Sequence, residues 1–213
     1  MNLILVRHGE TQHNADGRVL GRGGPGLNQR GHNQAAAAAR ALSARDLSDG
    51  AVAVIYSSPL PRAMETAERI SRELDLPVQA EASLAEIDAG KLEGLTSDEM
   101  RAQYPELMAM WGRDPGSVQM PGGESLGQLQ ERVWQVAQTL LERHLDDNVV
   151  VVSHNFPIET LVCRVLELPL AGIRRMRVDL GSLSVVGMQA DRCRLLHLND
   201  ICHLEGIDDS PGR

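Results

Sequence analysis

The sequence predicts an α/β protein, a three-layer α/β/α sandwich with a mostly parallel central sheet. Short continuous apolar runs, typical of strands buried on both faces, alternate with longer segments of helical periodicity. The chain has 213 residues, of which 42% are hydrophobic, and this fits one ordinary domain with a well-buried core. No linker or internal repeat divides it, so we expect a single domain over residues 1–213.

The first half of the chain predicts two strand–helix units. Leu3–Val6 is a short apolar strand, followed by a Gly-rich polar loop. Asn28 can cap a helix that runs to about Leu47. The apolar run 51–56 predicts a second buried strand, and Ser58–Pro59 offers an N-cap with proline at the first position of the next helix.

The second half continues the alternation. Thr96–Glu99 fits a capping box for a short helix. Apolar residues from Leu126 to Leu140 recur at helical spacing and predict a long amphipathic helix. Val149–Val152 is the clearest strand and is followed by another helix. Three late runs predict further strands, at Met176–Val178, Leu183–Val186 and Leu195–Leu198.

Charge and composition exclude several classes of partner. The chain has 21 Lys and Arg against 29 Asp and Glu, a net charge of −8, which disfavours binding to nucleic acid or to an anionic membrane. No apolar segment approaches the ~18–20 residues of a membrane span, and the N-terminal apolar run is too short for a secretion signal. Cys163, Cys193 and Cys202 form no metal or disulfide pattern. We therefore expect a cytoplasmic protein with free thiols.

Polar side chains follow three of the predicted strands. Arg7 and His8 end the first strand, Arg62 lies shortly after the second, and His154 ends the third. Ligands of α/β proteins bind at the carboxyl ends of the strands. Guanidinium groups match phosphate oxygens with paired donors, and an imidazole can act as a nucleophile. This edge of the sheet is therefore predicted to bind a phosphate group.

Five ordered blocks resemble the histidine phosphatase superfamily, whose best-known branch contains the cofactor-dependent phosphoglycerate mutases. The blocks are Leu5–Thr11 with Asn14 and Arg18, Ser57–Ala63 with Thr66–Ala67, Leu84–Gly90 with Glu93–Gly94, Pro121–Ser125, and Val152–His154. The resemblance implies a phosphoglycerate-mutase-like fold and one histidine phosphatase domain, with a lid or insert at about residues 87–123.

The resemblance also implies roles for individual residues. His8 would be the nucleophile that becomes phosphorylated, and Glu86 the general acid for the leaving oxygen and later the base for water. The oxygens of the phosphoryl group would be held by Arg7, Asn14, Arg62 and His154. Phosphoryl transfer needs an in-line attack and neutralisation of the equatorial oxygens. The two arginines and a protonated His154 would supply that charge, so no metal or other cofactor is expected, and burial should raise the pKa of Glu86.

The edge of the predicted site is less determined. In the Gly-rich loop, Leu20, Gly21 and Arg22 are expected substrate contacts, although Arg22 could equally be solvated rather than bind a second anionic group. Asn155 stands where the family usually has glycine, and its side chain could reach the substrate. Asn14 could be only a turn former. Four residues are predicted to pack a lid or a small core, namely Met100, Met108, Met110 and Trp111.

The predicted function is a metal-independent phosphatase that hydrolyses a small phosphomonoester, a phosphorylated metabolite, through a phosphohistidine. The alternatives are a cofactor-dependent phosphoglycerate-type mutase and an inactive binding module. The family's mutases carry an insertion after the catalytic Glu with a Tyr-Gly pair, a Lys and paired arginines. The segment 87–120 has no Tyr-Gly pair and only isolated Arg101 and Arg113, which favours hydrolysis. The sequence leaves the oligomeric state and the identity of the phosphomonoester open.

Overall fold

A computed structural model describes residues 1–44 and 51–207 of the chain, and within them six strands form one sheet. The strands are β1 (Asn2–Arg7), β2 (Val52–Ser57), β3 (Val78–Ala80), β4 (Asn148–Ser153), β5 (Leu183–Met188) and β6 (Cys193–Asp200). Their order across the sheet is β3-β2-β4-β1-β5-β6. The first four strands are parallel, and β5 and β6 are antiparallel to their neighbours.

Helices cover both faces of this sheet. They are α1 (Gln12–Ala15), α2 (Gln29–Ala44), α3 (Pro61–Leu74), α4 (Ser97–Gln103), α5 (Pro105–Arg113), α6 (Leu126–Arg143) and α7 (Asn155–Val165). Alternate side chains of β1 enter two separate apolar clusters, because successive strand residues point to opposite faces. Ile4 packs with the α2 and α3 face, and Leu5 with the α6 and α7 face. The three-layer α/β/α prediction is confirmed.

Several predicted helix starts are confirmed. The Asn28 side chain accepts a hydrogen bond from the backbone N–H of Gly31 at 2.8 Å, as an N-cap does. Thr96 forms the expected capping box with Glu99 at the start of α4. Helix α2 is described to Ala44, and its predicted end at Leu47 lies outside the described residues.

The predicted start of α3 is wrong by two residues. Leu60 is the N-cap, and the proline in the first turn is Pro61 rather than the predicted Pro59. Proline is tolerated there because the first turn needs no backbone N–H donor. Ser58 does not cap the helix, because its hydroxyl lies 2.7 Å from Nε2 of His154 in the buried interior.

The prediction of a strand at Met176–Val178 is also wrong. This stretch has no ladder partner and connects the 3₁₀ turn Leu170–Arg175 to β5; the carbonyl of Val178 accepts instead from the guanidinium of Arg7. The other two late runs form the antiparallel pair β5 and β6. The short edge strand β3 was missed because its three residues carry only one apolar strand former.

The segment 87–123 packs on the core. It contains α4 and α5, and Met100 is buried in the main apolar cluster, with Met108 and Trp111 packed against it. Met110 is 48% exposed. Residues 87–123 thus contribute to a small core, and their action as a lid stays a prediction. No helix within the described ranges is long and apolar enough to cross a membrane.

Candidate active site

The end of β1 fixes the first candidate residue, His8, in place. Its backbone N–H donates to the carbonyl of Ser153 at 3.0 Å, which extends the pairing of β1 with β4. The next residue, Gly9, lies against α2 so closely that a Cβ would come 2.4 Å from the carbonyl oxygen of Gly31. The glycine after His8 is therefore required by this backbone approach, and the N–H of Gly9 is held by the hydroxyl of Thr66 at 3.2 Å.

The contacts of His8 define which of its ring nitrogens can react. Nδ1 lies 2.7 Å from the carbonyl oxygen of Gly9, and since a carbonyl only accepts, Nδ1 carries the proton. Nε2 then has a lone pair and accepts from Nε of Arg62 at 3.2 Å. Burial, and then the cations of Arg62 and Arg7, hold the pKa of His8 well below its ordinary value. The ring is therefore neutral, and its unprotonated Nε2 has the chemistry of a nucleophile.

Arg62 connects this nucleophile to the Gly-rich loop. The side chain is fully buried at the start of α3. Its guanidinium donates to His8 and also to the carbonyls of Gly23 at 2.8 Å and Gly21 at 2.7 Å. A guanidinium has five N–H donors, so one on each terminal nitrogen is left for phosphoryl oxygens.

The side chain of Arg7 is held by the segment that precedes β5. One terminal nitrogen donates to the carbonyl of Val178, and its Nε has no partner among the described residues. Burial lowers the pKa of Arg7, and the nearby carboxyls of Glu86, Glu159 and Asp179 oppose that effect. Arg7 therefore remains a cation next to His8.

Glu86 is a buried carboxyl group with the properties of a general acid. Only 5% of it is exposed, and its Oε1 accepts from the backbone N–H of Ile87 at 2.8 Å. Burial raises the pKa of Glu86, and the Ile87 N–H, Arg62 and Arg7 only partly oppose the rise. The expectation of a raised pKa is confirmed, and the group can keep a proton for a leaving oxygen.

His154 differs from its predicted state. Its ring centroid lies 5.0 Å from that of His8, and its Nε2 lies 2.7 Å from Oγ of Ser58. Burial, followed by His8, Arg62 and Arg7, holds the pKa of His154 well below its ordinary value. The structure therefore disfavours the expected charge on His154, because burial and cationic neighbours both oppose it.

Two residues near the site were given no role in it by the sequence analysis. One is Ser58, which was interpreted as a helix cap, although a hydroxyl at a strand end was the available indication of a site residue. The other is Glu159 on α7, which is buried and accepts from Nδ2 of Asn155 at 2.9 Å. Burial raises the pKa of Glu159 to about 8, although Arg7 lowers it. The sequence indication for Glu159 was an acidic residue among the mostly apolar, buried residues of α7.

The Gly-rich loop surrounds the cluster as predicted, but its contacts are mainly internal. Gly21 contributes its carbonyl to Arg62, and the side chain of Leu20 lies against Gly24. Arg22 is 48% exposed at its side chain and lies 3.3 Å from the carboxylate of Glu124. Arg22 is thus at the surface of the site and has an acidic partner.

Asn14 and Asn155 are likewise engaged with the protein. Oδ1 of Asn14 accepts from the backbone N–H of Thr11 at 3.1 Å in a capping box, so the interpretation as a turn former is supported and only its Nδ2 can donate to an anion. Asn155 begins α7 directly after His154, and its Nδ2 is bound to Glu159, which leaves its Oδ1 as the acceptor for a ligand.

The structure therefore brings the five predicted catalytic side chains together at the carboxyl ends of β1, β2 and β4. These are Arg7, His8, Arg62, Glu86 and His154. Over residues 1–44 and 51–207, no group of three or more His, Cys, Asp or Glu side chains is arranged to hold a metal ion. A neutral imidazole, two arginines and a buried carboxyl with a raised pKa form a site whose chemistry suits phosphoryl transfer to histidine.

Comparison with known proteins places the chain in a family. It belongs to the histidine phosphatase superfamily (branch 1), whose model matches residues 3–201. Phosphoserine phosphatase 1 of Hydrogenobacter thermophilus is 38% identical, over 96% of this chain and 94% of that protein. The 2,3-bisphosphoglycerate-dependent phosphoglycerate mutase of Brucella ovis is 32% identical over 89% and 93%. Among solved structures, Bacillus stearothermophilus YhfR has a TM-score of 0.88 and 27% identity, over 96% and 99%. The predicted family and its phosphatase class are confirmed.

Proposed function

We propose that this phosphatase hydrolyses small phosphomonoesters that carry a second anionic group, with phosphoserine the first substrate to test. The observation that carries the reaction is the orientation of His8. Its proton is fixed on Nδ1 by the Gly9 carbonyl, so Nε2 is unprotonated, and its electron pair, which accepts from Nε of Arg62, can be turned to phosphorus. The substrate class is supported by Arg22 at the edge of the site and by the similarity to a phosphoserine phosphatase.

In the first step, Arg7, Arg62 and His154 bind the phosphoryl oxygens, and Nε2 of His8 attacks phosphorus. The bond from phosphorus to the ester oxygen breaks as the N–P bond forms. Glu86 gives its proton to the leaving oxygen, which departs as an alcohol. The protein is left with a phosphohistidine and an ionised Glu86.

In the second step, Glu86 takes a proton from water as the water oxygen attacks phosphorus. The N–P bond breaks, His8 regains its neutral form, and inorganic phosphate is released. The cations of Arg7 and Arg62 neutralise the equatorial oxygens in both steps, and the proposal therefore requires no metal.

A phosphate-release screen tests this proposal. Phosphoserine, 3-phosphoglycerate, phosphorylated sugars and α-ribazole phosphate are each supplied in the presence of EDTA. We expect release of phosphate with the chelator present, and highest kcat/KM for a substrate with a carboxylate. Loss of turnover on chelation that a divalent ion restores would overturn the metal-independent proposal.

The similarity to a phosphoglycerate mutase makes isomerisation the second candidate. A mutase must exclude water from the phosphohistidine, and of the basic residues in 87–123 Arg101 is already paired with Asp98 at the surface. The discriminating assay supplies 3-phosphoglycerate with a trace of 2,3-bisphosphoglycerate and follows phosphate and 2-phosphoglycerate. We expect phosphate to form faster. The reverse would establish a mutase.

A further inference from the structure

Ser58 and His154 form a buried pair at the centre of the site. Both side chains are fully buried, and Oγ of Ser58 lies 2.7 Å from Nε2 of His154. Ser58 lies just beyond β2 and is held there by its own backbone N–H, which donates to the carbonyl of Val152 at 3.0 Å. The neutral state of His154 leaves two tautomers, and they differ in which ring nitrogen can donate.

The hydrogen bonds around Ser58 distinguish the two tautomers. Oγ of Ser58 accepts from the backbone N–H of Leu60 at 3.3 Å. If the hydroxyl donates to Nε2 of His154, both of these contacts are satisfied, and His154 carries its proton on Nδ1. If Nε2 carries the proton instead, the hydroxyl must find another acceptor, and none is present among the described residues.

The other ring nitrogen points to the same tautomer. Nδ1 of His154 is buried and has no protein partner in the described part of the chain. A buried polar group without a partner is costly unless a ligand satisfies it. An N–H donor left in this state fits an anionic ligand, whereas a bare nitrogen lone pair would repel one.

We infer that Ser58 is a positioning residue, whose hydroxyl holds the neutral His154 ring in the Nδ1–H tautomer so that Nδ1–H donates to a phosphoryl oxygen. The inference rests on the proposed function for the identity of the anion. It replaces the protonated His154 expected from the sequence with a neutral donor. Arg7 and Arg62 then balance the charge of the phosphoryl group. The Nδ1–H of His154 adds a hydrogen bond that orients one phosphoryl oxygen.

The test reads the tautomer directly. In protein labelled with ¹⁵N at histidine, the ring nitrogen shifts at pH 8 distinguish Nδ1–H from Nε2–H, and the His154 signals are assigned by their loss in His154→Gln. We expect Nδ1–H in the wild type and a mixture of tautomers in Ser58→Ala. Orthovanadate, a phosphate-like anion, is expected to shift the Nδ1–H signal. An Nε2–H tautomer in the wild type would overturn the inference.

Kinetics provide the second readout. With p-nitrophenyl phosphate, Ser58→Ala is expected to lower kcat about 10-fold, since the energy of one hydrogen bond corresponds to about that factor, with a smaller change in KM. Ser58→Thr keeps the hydroxyl and should restore both tautomer and kcat. Ser57→Ala is the matched control, because Oγ of Ser57 is equally buried but donates to the backbone of Ser58.

The two readouts separate failure of this inference from failure of the proposed function. A wild type that hydrolyses no phosphomonoester but shows Nδ1–H contradicts only the proposed function. A Ser58→Ala variant that keeps a pure Nδ1–H tautomer contradicts the role of Ser58, whatever its kcat. If Ser58→Ala does not fold, an Nε2–H tautomer in the wild type, or an Nδ1–H signal that orthovanadate does not shift, still overturns the inference.

Discussion

The floor and the rim of the site are built differently. The floor consists of Arg7, His8, Arg62, Glu86 and His154. It is largely buried, and its side chains bind one another, backbone groups or the hydroxyl of Ser58. The rim consists of the loop 20–26 and Asn155, and its one charged side chain, Arg22, is half-exposed and paired with Glu124. The floor is thus ordered by contacts within the protein, whereas Arg22 would have to give up an acidic partner to bind a ligand.

This difference separates two functions within one site. Buried, preorganised groups stabilise charge that develops in the transition state, because they need not reorganise during the reaction. An exposed ion pair contributes little energy, about 0–1 kcal/mol, and exchanges readily. We therefore expect substitutions in the floor to change kcat for all substrates, and substitutions in the rim to change KM for some of them.

The largest expected effect is that of His8→Ala. Removal of the nucleophile should lower kcat by about 10⁴-fold or more and abolish the phosphoenzyme. Rapid quenching of the wild type with substrate should trap a phosphoramidate that is stable to base and labile to acid. His32→Ala, on the exposed side of α2, is the control and should keep full activity. An acid-stable phosphoenzyme would place the nucleophile on another residue.

Glu86→Gln should have the next largest effect, and its size should depend on the leaving group. The amide keeps the shape but cannot give up a proton. We expect a loss of about 10²–10⁴-fold with phosphoserine, whose alkoxide needs protonation, and a much smaller loss with p-nitrophenyl phosphate. Equal losses with both substrates would show that Glu86 is not the general acid.

The floor was predictable from the sequence because its residues follow recognisable strands. Arg7, His8 and His154 come directly after apolar runs, and parallel strands bring such positions to one edge. The protonation of His154 was not predictable, since it depends first on how completely the fold buries the ring, and only then on its cationic neighbours. Ser58 was assigned to a helix cap because the local pattern fits one, whereas its partner is 96 residues away in the sequence.

The rim was less predictable for a related reason. Arg22 could be identified as exposed and basic, but its partner Glu124 lies in a turn about a hundred residues later. Asn14 was predicted both as a phosphate contact and as a turn former, and its contacts with Thr11 support the second. Loops around a site take their conformation from distant residues, which a local pattern does not contain.

A substitution at Arg22 tests whether the rim selects substrates. Arg22→Ala should raise KM for phosphoserine about twofold to fivefold, as expected for one half-exposed ion pair, and leave kcat unchanged. KM for p-nitrophenyl phosphate, which has no second anionic group, should not change. Arg69→Ala, which removes a partly exposed arginine paired with Glu73 on α3, is the control. A fall in kcat for both substrates would show that Arg22 acts in the reaction itself, as the floor residues are expected to do, and not in substrate selection.

Glu159→Gln should have the smallest effect on activity. The variant instead tests the protonation state of Glu159, the buried carboxyl group near Arg7. Burial raises the pKa of Glu159 to about 8 in the folded protein, above its ordinary value of 4.5. The folded state therefore binds this proton more tightly than the unfolded state does, and stability falls as pH rises from 4.5 to about 8, by at most about 1.4 kcal/mol per pH unit. Glutamine does not titrate, so the variant lacks this contribution. Its Tm should rise relative to that of the wild type between pH 5 and pH 8 and then remain at a constant difference. Glu131→Gln, at an exposed position, is the control. If the Tm difference between Glu159→Gln and the wild type stays constant from pH 5 to pH 8, Glu159 is ionised over that whole range.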